Sequence, residues 1–236
     1  ASKEIELNAP KGLGISDGKL YVADIDSVRI FDLATGKSVA NVKIAGSTFL
    51  NDIAVAPDGA VYVSDTGLKT GFAPNQKDAI YKIGKDNKSK ALIKSAELKN
   101  PNGLLADDKG LTVVTWTGEV YRVTAEGKKE ESTKAPGAQL DGVIQTADGQ
   151  LLVSSWETST VYTGKADGTL SPLAADLKSP ADLGFDSKRS QLLIPLFSEN
   201  TVIIHPLPAA AVASAEKPAE GAKETTASSE KAEEKK

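Results

Sequence analysis

Apolar residues alternate with polar or small ones in short runs over most of the chain, and the runs are separated by Gly, Asp and Pro steps. The clearest stretch is Leu50 to Gly67, LNDIAVAPDGAVYVSDTG, where Ile53 and Val55 precede a Pro57-Asp58-Gly59 turn and Val61 and Val63 follow it. A period of two sets one face of a strand against a core, and Pro-Asp-Gly reverses the chain, so the stretch predicts a β-hairpin. Antiparallel pairing lays the start of the first strand beside the end of the second, so Asn51, Asp52 and Asp65 share one edge.

The same phrase recurs. Aligning Gly12, Asp52, Gly103, Gly142 and Asp182 gives spacings of 40, 51, 39 and 40 residues, close to the length of a four-stranded propeller blade. Each repeat steps into an apolar strand, turns, and continues through further strands, as in YVADIDSVRIF, VVTWTGEVYRV, LVSSWETSTVY and LIPLFSENTVIIH. A β-sandwich with irregular turns is the alternative, and the internal periodicity decides against it. The expected fold class is therefore all-β, a β-propeller of four-stranded antiparallel blades over residues 1–208, with five repeats visible. The last repeat lacks a fourth strand, and the lone alternation at Ile5 and Leu7 is expected to supply it and so tie the termini into one blade.

The 51-residue spacing marks an insertion, GLKTGFAPNQKD from Gly67 to Asp78, which reads either as a tolerated surface loop or as a lid with Phe72 at its tip. Residues 209–236 are low in complexity and mixed in charge, which predicts a disordered tail with room for a short helix over Ala209 to Ala215.

Composition narrows the chemistry. The 236 residues are 40% hydrophobic but only 5% aromatic, and the formal net charge is −4 with no Lys/Arg cluster, so no nucleic-acid surface is expected. The absence of cysteine excludes disulfides and thiolate chemistry, and a single histidine excludes a His-pair metal site. That residue, His205, precedes Pro206 near the end of the last repeat and reads as a surface group. No apolar run approaches the roughly 18 residues of a membrane span. A chain that opens at Ala1 and has no methionine suits a product of signal-peptide cleavage, so a periplasmic or secreted setting is expected.

The residue before each aligned position is Lys11, Asn51, Asn102, Asp141 or Ala181. In a propeller these residues open the innermost strands around the channel mouth, where oxygen donors could hold a hard cation such as calcium. Asn102 and Asp141 offer an amide oxygen and a carboxylate, although Asn-Gly and Asp-Gly are equally turn dipeptides that let a strand begin. Lys11 opposes a cation by Coulomb repulsion and suits an anionic ligand instead. Trp116 and Trp156 follow the second strands of their repeats at the same edge and either wall a pocket or pack between blades. Asp24 and Asp65 end equivalent strands and either enrich the edge with acid or cap turns.

Four phrases, FLNDIAVAPDG from Phe49, PNGLLAD from Pro101, LDGVIQTADGQLLVSSW from Leu140 and SPADLGFDSKR from Ser179, occur in that order at blade spacing. Together they resemble the senescence-marker-protein/gluconolactonase-like (regucalcin-like) β-propeller family over about Leu7 to Leu207. The resemblance implies a divalent metal, usually Ca2+, held by a Glu of the first blade, an Asn in an Asn-Gly step and an Asp in an Asp-Gly step; the last two map onto Asn102 and Asp141. It implies lactone hydrolysis, with Asp141 positioning or deprotonating the attacking water, and Asn51 near the substrate. Asp52, Lys11, Trp116 and Trp156 complete the expected substrate contacts. The family has six blades, and its Glu comes from a repeat ahead of the five visible here. Either a first repeat is missing, or the ring closes as five blades with an incomplete metal site. Two function readings follow: a metal-dependent lactonase acting on a small molecule, or a non-catalytic envelope propeller that binds a ligand or protein partner on the same face.

Overall fold

The computed structural model describes residues 6–165 and 169–208. Its strands form five antiparallel sheets in chain order, which are the five expected blades. The first holds β1 (Pro10–Ser16), β2 (Lys19–Asp24), β3 (Ser27–Asp32) and β4 (Ser38–Lys43). The second holds β5 (Leu50–Val55), β6 (Val61–Asp65), β7 (Ala79–Ile83) and β8 (Ser89–Lys94). In the third are β9 (Pro101–Asp107), β10 (Gly110–Thr115), β11 (Glu119–Thr124) and the short β12 (Thr133–Lys134). The fourth has β13 (Leu140–Gln145), β14 (Leu151–Ser155), β15 (Thr160–Gly164) and β16 (Ser171–Ala174). The fifth has three strands among the described residues, β17 (Gly184–Asp186), β18 (Gln191–Leu196) and β19 (Thr201–Pro206). Among the described residues the helical content is two short 3-10 turns, and no helix there is long and apolar enough to cross a membrane.

The expected hairpin is β5–β6, with Ile53 opposite Val63 and Val55 opposite Val61. The Asp17-Gly18 step joins β1 to β2 with both residues at positive φ, the backbone twist that suits a two-residue hairpin turn. Ile5 and the tail from residue 209 lie outside the described residues, so the expected fourth strand of the last blade and the expected tail do too. The neighbouring residues Glu6 to Ala9 carry no strand.

Blades stack through apolar faces, one cluster per junction. Tyr21, Val28 and Ile30 of the first blade meet Ile53, Val61 and Val63 of the second. Tyr62 and Ile80 meet Leu104 and Val113 across the next junction. Val114 and Val120 pack on Val143 and Val153, and Leu152 and Val161 pack on Leu183, Leu192 and Ile194. Removal of this area from water, at about 25 cal/mol per Å2, is the driving force that holds one sheet on the next.

No such cluster joins the fifth blade to the first among the described residues. The position that buries Ile53, Leu104, Val143 and Leu183 against the preceding blade, at 3–8% exposure, is taken in the first blade by Leu13, which is 58% exposed. Ile15 beside it is 58% exposed, and on the opposite bank Val202 and Ile204 of β19 are each 56% exposed. Among the described residues the first and fifth blades thus each leave apolar residues uncovered, and the junction between these two blades, the seam, has no apolar cluster.

Candidate functional site

A β-bulge recurs at one place in the first strand of the blades. Pro10 pairs with Asp24 and Leu13 with Val22, so Lys11 and Gly12 together face one residue of β2. Leu50 to Ile53 and Leu140 to Val143 repeat this shift against β6 and β14, and β9 carries it against β10. In the fifth blade Pro180 bridges Leu196 while Gly184 pairs with Leu193, the same one-residue surplus. A bulge leaves its extra residue outside the ladder and re-aims a side chain. Here it turns Lys11, Asn51, Asn102 and Asp141 into one cavity of about 320 Å3 at the channel mouth.

Two serines hold the bulges in place. The Asp52 amide donates to Ser64 Oγ at 2.9 Å, and that hydroxyl donates to the Asn102 carbonyl of the next blade at 2.7 Å. Gly142 N, Ser154 Oγ and the Ala181 carbonyl repeat the relay at 2.8 Å for each bond. Both serines are fully buried. A side chain at Gly103 would strike the Asp141 carbonyl, and one at Gly142 would strike the Leu183 amide, so close approach between blades requires glycine at both. Asp52 occupies the same bulge position and bonds the neighbouring blade instead: its Oδ2 accepts from Leu104 N at 2.7 Å and its Oδ1 from Ile53 N at 2.6 Å.

Three carboxylates, Asp52, Asp141 and Asp182, line the mouth cavity. Asp52 and Asp182 line both the mouth cavity and a second cavity of about 190 Å3 further down the channel, so they mark the divide between the two. Burial pushes the Asp52 carboxyl well up from its ordinary value, with the Asp182 charge adding to the shift. Asp182 is raised by burial, and hydrogen bonds from Leu183 and Asp52 ease it. Ionisation of either carboxyl disfavours ionisation of the other, because like charges in a buried site repel. Asp141 keeps some accessible surface, yet enclosure and the Asp182 charge push its carboxyl up to about 7, against the Trp156 and Asn102 hydrogen bonds and the Lys11 charge. Trp156 Nε1 donates to Asp141 Oδ2 at 2.8 Å.

Asn102 is 2% exposed, and its Nδ2 donates to the Leu140 carbonyl at 2.9 Å. Its Oδ1 is buried with no hydrogen-bond partner among the described residues. A buried, unpaired amide oxygen costs about 1–3 kcal/mol, and the Asn102 side chain also reaches the Asp141 carboxyl, whose charge it eases. An amide oxygen and a carboxylate are donors that a hard divalent cation accepts. They make a partial set, since no group of three His, Cys, Asp or Glu side chains that could hold a metal occurs among the described residues. Asn51 lines the same cavity, with its Nδ2 on Thr66 Oγ1 at 3.0 Å.

Lys11 Nζ donates to the Ala9 carbonyl at 2.9 Å and sits 4.4 Å from the centre of the Phe49 ring. Burial lowers its pKa, and Asp24 and Asp141 oppose that shift. Asp24 and Asp65 prove to be turn caps. Asp24 accepts from the Asn8 and Ala9 amides and from Arg29 Nε, while Asp65 accepts from the Thr48, Phe49 and Gly67 amides. His205 is half-buried in β19 and does not line the mouth.

Aromatic rings wall the cavity. Trp116 and Trp156 are half-buried and meet edge to face at 5.8 Å. Phe72, from the inserted loop, stacks on Trp116 at 6.1 Å and touches Phe49 at 5.9 Å, and Phe197 closes on Trp156 at 5.0 Å. Phe49 and Phe197 are site residues beyond those the repeats singled out, and Asp182, an aligned repeat position, joins the site as well. Phe197 carried a signal, because it follows its second strand as Trp116 and Trp156 follow theirs.

The model of the SMP-30/Gluconolactonase/LRE-like region matches residues 1–182. Among solved structures, a gluconolactonase from Xanthomonas campestris is similar at 20% identity and TM-score 0.63, covering 78% of this chain and 68% of that one. Regucalcin from Agrobacterium tumefaciens, described as a calcium-binding protein, is similar at 21% identity and TM-score 0.61, with 79% and 67% covered. A virginiamycin B lyase from Staphylococcus aureus gives 16% identity and TM-score 0.64 over 83% of this chain, which spans 65% of that protein's length. At these identities the likenesses show the fold alone. No protein of curated function matches the sequence.

Proposed function

The chain belongs to the SMP-30/gluconolactonase/LRE-like family, and on that premise we propose that it hydrolyses small lactones at its channel mouth with a divalent cation, Ca2+ being the ion expected. The observation that carries this reading is the unpartnered Oδ1 of buried Asn102, a residue whose side chain also reaches the Asp141 carboxylate in the same cavity. These two residues would hold the ion. When bound there, the cation supplies a Lewis acid for the ring carbonyl and lowers the pKa of an attacking water. Asp141, fixed by the Trp156 indole, takes that water's proton. Asn51 orients the ring oxygens from across the mouth. The Asp52–Asp182 pair closes the channel below, which keeps the reacting group at the height of Asn102 and Asp141.

A second reading, a binding propeller without catalysis, is favoured by one specific feature: the Lys11 ammonium lies within the field of Asp141, where it repels a cation. Thermal melting with and without CaCl2, and pH-stat hydrolysis of five- and six-membered lactones, separate the two. The hydrolase reading expects calcium to raise the melting temperature of the chain, to do so less for Asn102→Ala, and turnover to vanish in Asp141→Asn. Absence of both a calcium shift and Asp141-dependent turnover would overturn the hydrolase reading and leave the binding one.

A further inference from the structure

The position after the second strand is occupied blade by blade by Ile25, Thr66, Trp116, Trp156 and Phe197. The second blade lacks an aromatic there, and its insertion supplies one from elsewhere: Phe72 reaches over to stack on Trp116 with an interplanar angle of 11°. Phe72 holds φ at 62°, a region that bulky side chains rarely adopt, and it remains 56% exposed. Backbone strain on an exposed aromatic is a cost that packing does not repay, and such cost collects at ligand sites. The loop is anchored for the purpose. Leu68 is buried, it bridges Pro74, and Asn75 Nδ2 bonds Thr48 Oγ1 at 2.9 Å.

The result is an unbroken file of rings, Phe49, Phe72, Trp116, Trp156 and Phe197, with successive centroids 5.0–6.1 Å apart. By register Trp116 and Trp156 stand just outside the bulges, and the bulges themselves carry the polar groups of Asn102 and Asp141. A ligand in the mouth therefore meets hydrogen-bonding groups at its inner end and ring faces around its outer part. A polyhydroxylated sugar lactone would carry several hydroxyls into that outer part, where each loses water without a partner. A flat apolar ring loses nothing there and gains contact with the ring faces. An organic cation is disfavoured, because Lys11 Nζ already occupies the Phe49 face.

We propose that the mouth selects lactones and related cyclic esters fused to, or bearing, a flat aromatic ring, with the carbonyl directed inward to Asn102 and Asp141 and the ring held by Phe72, Trp116 and Trp156. This rests on the reading of the mouth as a small-molecule site, and its test is independent of turnover.

Trp116 and Trp156 are the only tryptophans in the chain, so intrinsic fluorescence reports the mouth alone. The probes are 3,4-dihydro-2-quinolinone, a lactam that mimics dihydrocoumarin and resists hydrolysis, and the lactam of gluconic acid. Saturable quenching by the aromatic lactam is expected, at least tenfold tighter than by the sugar lactam. Phe72→Ala, on an exposed loop, is expected to weaken the aromatic probe about three- to ten-fold, from the worth of one aromatic contact, while leaving the melting temperature unchanged. Equal or tighter binding of the sugar lactam, or an unchanged Kd in Phe72→Ala, overturns the proposal. Binding of the aromatic lactam with no lactone turnover would sustain it while removing the hydrolase reading; Asp141-dependent turnover of gluconolactone without aromatic binding would do the reverse.

Discussion

Replacement of Ser64 by alanine tests whether the bulges are held by the serine relay. Ser64 is fully buried, and its hydroxyl accepts from Asp52 N at 2.9 Å while donating to the Asn102 carbonyl at 2.7 Å. Alanine fits the space but leaves a buried N–H and a buried C=O without partners. Each such group costs about 1–3 kcal/mol, so a loss of about 2–4 kcal/mol is expected after partial relaxation. For a domain of this size 1 kcal/mol corresponds to about 2–4 °C, which places the fall in melting temperature at roughly 5–15 °C. Urea unfolding gives the free energy and a thermal scan gives the shift. Ser198→Ala is the control, since its hydroxyl pairs with Ser179 at the surface and its removal belongs within about 0.5 kcal/mol of wild type. Ser154→Ala in the fourth blade should match Ser64→Ala, because it removes the same relay from Gly142 N to the Ala181 carbonyl. A Ser64→Ala loss no larger than that of the control would refute the relay as the device that fixes the mouth.

The seam is tested by a matched pair: Ile53→Asp, at a position 5% exposed, should cost more than about 3 kcal/mol by urea unfolding, and Leu13→Asp, at 58%, less than about 0.5. Similar losses would mean that the fifth blade packs on the first in solution. Burial raises the folded pKa of Asp182 above its unfolded value, so its contribution to stability is complete below about pH 3.9 and is lost as pH rises through the folded pKa. Asp182→Asn should therefore raise the melting temperature at pH 8 in the presence of a chelator, with the gain shrinking toward pH 4; a difference that does not change with pH would contradict the buried pair.

The blades were legible because each repeats one alternation with a turn at fixed distance, and the Leu50 to Gly67 hairpin formed with Ile53 and Val63 paired as the pattern requires. The ring position was legible for the same reason, since Lys11, Asn51, Asn102, Asp141 and Ala181 precede equivalent residues. What a period of two cannot carry is the bulge, which breaks the period at those very residues and decides that they face the mouth. Nor can it carry the meeting of Asp52 with Asp182, which belongs to non-adjacent blades and exists only once the sheets are stacked. Phe72 was visible as the tip of an insertion, but its role as the aromatic that Thr66 fails to provide depends on the loop's return to Trp116.

One bulge geometry serves every blade, so the chemistry of the mouth depends on which residue each blade places there. The third and fourth blades contribute Asn102 and Asp141, the donors suited to a cation, whereas Lys11 and Ala181 flank the seam. The mouth is therefore uneven: its oxygen donors Asn102 and Asp141 come from the third and fourth blades, and its lysine comes from the first, whose Leu13 is left exposed.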